Sequence, residues 1–188
     1  MSNEIRLLSL AFRTDSAHNL AIARAMKNEP LYAREPMRAK VLVLLHMSIE
    51  CALKCMIAME REKKEVEKIY KIIKNGGHNL TKLANAITSQ AMDPRLRDRL
   101  KKFNPPGVNI RYGFEIMMLT GDDLFSPGRR PEFEDRELDD AFDLAGFMAE
   151  LANGLHKTTY QGSFRWENGD SPARVIEKIK RASTKSRS

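Results

Sequence analysis

Cysteine is nearly absent from this chain: there are two in 188 residues, Cys51 and Cys55. Standing four apart in a helical pattern, they suit neither a structural disulfide nor the paired ligands of a zinc site, and they read as reduced core thiols. Glycine and proline are also scarce, at ten and eight residues, which sets the chain apart from low-complexity and disordered sequences. No glycine-rich phosphate loop, no metal-ligand cluster and no Ser or Cys nucleophile with a matching base stands out, so neither a metal nor a cofactor is expected. The N-terminus lacks a basic start followed by an apolar run and a small-residue cleavage site, which predicts a cytoplasmic protein. The longest apolar stretch, Val41 to Met59, is interrupted by His46, Glu50 and Lys54. Each is costly in hydrocarbon, so the expectation is burial within protein rather than in a membrane.

What is present is the balance of an ordinary globular domain, 42% hydrophobic and 30% charged, in a length that supports one core without staples. Lys and Arg outnumber Asp and Glu by 32 to 25, but the excess is concentrated. Residues 171–188 carry six cations (Arg174, Lys178, Lys180, Arg181, Lys185, Arg187) against Glu177, which is +5 of the +7. Such a tail can meet nucleic acid or another anionic surface, or simply be solvated.

Periodicity predicts helices throughout. Ile5, Leu8, Phe12, Ala17, Leu20, Ala21 and Ala25 mark a first helix over Glu4 to Met26. Pro36 suits the first turn of a second, running to about Lys64, apolar on nearly every side with His46, Glu50 and Lys54 as one narrow polar stripe. Val66 to Lys74 forms a third element, closed by Asn75, Gly76 and Gly77. Asn79 is placed to cap a helix containing Leu80, Leu83, Ala84 and Ile87, and Asp93 with Pro94 opens another through Phe103. Residues 120–131 read as an exposed loop. Glu134 to Lys157 is a long closing helix with an acidic start and a stripe of Leu138, Phe142, Ala145, Met148 (or Ala149), Ala152 and Leu155. Ser171 and Pro172 start a last basic helix. A second helix apolar all round argues for a homodimer formed through it and the closing helix.

Three segments occur in a telling order: Ser48-Ile49-Glu50-Cys51-Ala52-Leu53-Lys54, then Gly77-His78-Asn79-Leu80, then Asn109-Ile110-Arg111-Tyr112. Together they resemble the HEPN family, over about residues 37–157. The resemblance implies an up-and-down all-α bundle, read here as five to seven helices over residues 1–160, and the residues themselves make 161–188 a basic C-terminal extension with a short helix. It further implies a homodimer that works in RNA cleavage by toxins, in nucleotide binding, or beside a nucleotidyltransferase in toxin–antitoxin or defence systems. The nuclease members carry an Arg followed four to six residues later by a His, and the segment after Arg111 holds no His. An Arg-x-x-x-x-His does occur at Arg13 and His18, in the first helix. Metal-independent RNA cleavage needs a group that takes the 2′-hydroxyl proton and a cation that holds the phosphate. Without the His, Arg111 can still bind phosphate, so the expected function is non-nucleolytic binding of nucleotide or RNA phosphate. A divergent ribonuclease and a pure protein-interaction module are the alternatives.

Each candidate has two readings. His46, Glu50 and Lys54 can be acid, base and orienting group on one helical face, or a buried stripe that fixes register. Arg111 can grip phosphate while Tyr112 stacks on a base and Asn109 assists, or Arg111 can pair with the acidic start of the closing helix. His78 can meet an anion or serve the turn. Arg95, Arg97, Arg99, Lys101 and Lys102 can track an RNA backbone, or form a solvated helix face.

Overall fold

The computed structural model describes residues 3–33, 35–61, 63–88, 92–103 and 135–159. Among them there are six helices and no strand: α1 (Asn3–Lys27), α2 (Glu35–Glu60), α3 (Val66–Gly76), α4 (Leu80–Asn85), α5 (Pro94–Phe103) and α6 (Asp135–Thr159), with a 3₁₀ turn at Pro30–Ala33. The all-α bundle follows the sequence. Asn109, Arg111, Tyr112, the loop expected over 120–131 and the extension over 161–188 lie outside the described residues.

α2 is the axis of the bundle. It packs most extensively against α1, then against α6, with α3 and α4 completing the cover. Leu45, Ile49, Leu53, Met56 and Ile57 are fully buried on it. By length and composition Met37–Glu60 is apolar enough to cross a membrane, but 67% of its most apolar stretch is buried against neighbouring helices. One chain therefore supplies most of the cover of this apolar helix. The helix ends at Glu60, short of the expected Lys64, as the chain turns: Lys64 N–H donates to the Arg61 carbonyl at 2.8 Å.

The face of α1 differs from the expected one. Ile5, Leu8 and Leu20 are buried as predicted and Phe12 is half-buried, but Ala17, Ala21 and Ala25 are exposed, while Leu7, Ser9, Ser16 and Ala23 are inside. Counting apolar residues misplaces the face because serines line the seam. Ser48 Oγ donates to the Ser16 carbonyl at 2.8 Å across the α1–α2 contact, and Ser9 Oγ donates to the Arg6 carbonyl at 2.9 Å. With their hydroxyls satisfied, these small residues can be buried and let two backbones approach.

α6 docks with Leu138, Ala141, Leu144, Ala145, Met148 and Ala152 buried. The acidic start of α6 is met by cations of α2 and α1: Arg38 donates to Asp135 at 2.6 Å and Lys27 to Asp139 at 2.6 Å. The shorter helices are capped as their sequences suggest. Asn79 Oδ1 accepts the Lys82 N–H at 2.9 Å, and Asp93 Oδ1 accepts that of Leu96 at 2.7 Å. Gly77 ends α3 at φ 57°, ψ −125°, backbone that a side chain would strain, and its N–H reaches the Ile73 and Lys74 carbonyls.

Candidate functional site

The polar stripe of α2 becomes a site because the turn after α3 delivers His78 to it. Residues 46, 50 and 54 share a face by helical spacing, and Glu50 is 5% exposed. A carboxylate this deep needs partners for both oxygens. Lys54 Nζ donates to Oε1, and His78 Nδ1 lies 2.9 Å from Oε2. His46 Nδ1 is 4.0 Å from the same Oε2, too far for a hydrogen bond, with its ring 6.3 Å from that of Phe103. Burial, opposed by Glu50, holds the His46 pKa below the usual imidazole value. The stripe is thus a core carboxylate held by a lysine and one histidine, with a second histidine nearby.

The arrangement opens outward. The His78 side chain is 52% exposed, and with Nδ1 engaged by Glu50 its Nε2 is the nitrogen left for a ligand. Beside it lies a cavity of about 360 Å³ lined by Phe12, Lys54, Tyr70, Lys74 and His78, with Leu8, Ile73 and Gly77. Lys54 Nζ sits 5.8 Å from the Phe12 ring centroid. Aromatic rings stand on one cavity with three nitrogen groups able to donate to an anion.

The other candidates separate. Arg97 is occupied structurally: its guanidinium donates to the carbonyls of Ala84 (2.5 Å), Ile87 (2.8 Å) and Met92 (3.1 Å), tying α4 to the start of α5. Arg95, Arg99, Lys101 and Lys102 are exposed on α5. Arg13 and His18 line a different, larger groove of about 660 Å³ between α1 and α6, where Arg13 Nη1 donates to Asn153 Oδ1 at 3.3 Å. His156, 8% exposed, is a residue the sequence reading missed. Burial, then the charges of Arg13 and Arg6, lower its pKa to about 4. Cys51 and Cys55 are free thiols pushed up to about 12 by burial, which makes them poor nucleophiles. Among the described residues no group of three or more His, Cys, Asp or Glu could hold a metal ion.

His78 and Glu50 were each singled out in the sequence, but not as partners. The available signal was a carboxylate on a helix otherwise apolar all round, which requires a donor from elsewhere. Comparison with protein families, with curated proteins and with solved structures finds no significant match to this chain.

Proposed function

We propose that this protein is a non-nucleolytic, HEPN-type helical bundle that binds a nucleotide or the phosphate of RNA in the cavity beside His78. The observation that carries the reading is the juxtaposition of Phe12 and Tyr70 with Lys54, Lys74 and His78 around one cavity of about 360 Å³. A base can stack on an aromatic face while ammonium and imidazole groups meet the phosphate. Glu50 keeps His78 and Lys54 in place and fixes which imidazole nitrogen faces a ligand.

The test is calorimetry with AMP, ADP, ATP and a five-nucleotide RNA. A dissociation constant of about 10–100 μM is expected for at least one of them, weakened about tenfold by Tyr70→Ala and by Lys74→Ala. Absence of any binding below about 1 mM overturns the reading.

A second reading, a divergent endoribonuclease, is favoured by the contact between Glu50 Oε2 and His78 Nδ1, an orienting acid behind a candidate general base. Metal-free cleavage of end-labelled RNA that disappears in His78→Gln would replace binding alone with this activity. A homodimer, or an accessory role beside a nucleotidyltransferase, is compatible with either reading and is tested by sedimentation and co-purification.

A further inference from the structure

The groove between α1 and α6 lies apart from the His78 cavity and shares none of its lining residues. Arg13, Arg24 and Lys157 line it against a single carboxylate, Glu150, with exposed His18 on its α1 side. Arg13 and Arg24 stand about 16 Å apart along α1, three helical turns. Arg24 reaches across to α6, where a Cβ on Gly146 would stand 3.4 Å from its guanidinium.

Two exposed apolar side chains stand next to lining residues of the groove by helical spacing, without lining it themselves. Among the described residues the large hydrophobic side chains left exposed are Ile22 (36%) and Phe147 (48%). Ile22 is one helical step beyond His18, and Phe147 lies between Asp143 and Glu150 on the outer face of α6. The positive character extends beneath the surface, since Arg13 and Arg6 help to keep buried His156 uncharged.

We infer that this groove is a docking site for an acidic amphipathic helix of a partner protein, three turns long. Its apolar positions would cover Phe147 and Ile22, and its carboxylates would meet Arg13, Arg24 and Lys157. Helix-in-groove recognition uses this combination of apolar anchors at i, i+3/i+4 and i+7 with complementary charge. A nucleic acid fits less well. Glu150 lines the groove and Asp143 stands one turn from Phe147 on α6, so a phosphate backbone that reached Phe147 would pass both carboxylates, whereas a peptide can place neutral or basic residues there.

The test sorts a yeast-displayed library of 14-residue helices, randomised on every face, against the biotinylated full-length chain. Enriched sequences are expected to be amphipathic with at least two Asp or Glu. As synthetic peptides they should bind with Kd about 10 μM, weakened at least about tenfold by Arg24→Glu and by Phe147→Ala. Both side chains are exposed, and the variants should keep the wild-type circular dichroism spectrum. The inference is overturned if no acidic helix is enriched over an unrelated protein, or if the selected peptides bind both variants as tightly as the wild type. It is likewise overturned if a twelve-nucleotide RNA, but no peptide, binds in a manner abolished by Arg24→Glu. Sedimentation showing a dimer that Phe147→Ala dissociates would assign the groove to a second copy of the chain.

Discussion

Replacing Glu50 by Leu should destabilise the fold far more when Lys54 is present than when it is absent. In the wild type the carboxylate and the ammonium neutralise each other, with side-chain exposures of 7% and 14%. Removing the acid alone leaves a largely buried ammonium without its counter-ion. Breaking a fully buried pair costs about 3–5 kcal/mol. Water reaches Lys54 from the cavity beside it, which reduces the expected loss to about 2–4 kcal/mol. Lys54→Met should cost only about 1–2 kcal/mol, because Glu50 keeps the His78 contact. The double variant replaces the pair with apolar residues of similar size and should fall within about 1 kcal/mol of wild type. Urea unfolding followed by circular dichroism at constant m-value measures the cycle, with an expected coupling of about 2–6 kcal/mol. Single-variant losses that simply add, within about 0.5 kcal/mol, would refute the pairing as an energetic unit.

Two further predictions rest on residues outside that cavity. His156 has a folded pKa near 4, below its unfolded value of about 6.5, so its contribution to stability is present above pH 6.5 and is lost as the pH falls towards 4. Discounted for solvent screening, the expected loss over that window is about 1–2 kcal/mol. His156→Gln should flatten the profile of unfolding free energy against pH, and an unchanged slope would contradict the assignment. Arg97→Lys should destabilise the protein by about 1.5–3 kcal/mol, because a point charge cannot serve three carbonyls together. Retention on a heparin column should stay nearly the same, and a large drop in retention with wild-type stability would return Arg97 to the phosphate-binding reading.

Local signals located the described helices well. Asn79 caps α4 and Asp93 caps α5 because short polar side chains before apolar periodic runs have few other uses, and Gly77 takes a positive φ where two glycines close α3. The interval of four in His46, Glu50 and Lys54 was equally readable. Contacts between distant segments were not. Nothing near residue 78 announces that its ring pairs with a carboxylate 28 residues earlier, and nothing in the spacing of Arg97 shows that it reaches carbonyls on α4 and beyond it. The buried serines of α1 misled for a related reason: the Ser9 hydroxyl is satisfied by a carbonyl one turn away and that of Ser16 meets the Ser48 hydroxyl across the helix contact, and an apolar count is blind to that. The α1–α6 groove is a product of tertiary packing that single-helix patterns cannot contain.

The Glu50 carboxylate has only two oxygens for three claimants. Lys54 holds Oε1, while Oε2 is bonded to His78 and lies 4.0 Å from His46. A ligand that drew the His78 ring outward would leave Oε2 to His46, whose ring faces Phe103 at the end of α5. Occupancy at the surface would then be exchanged for a new bond in the interior.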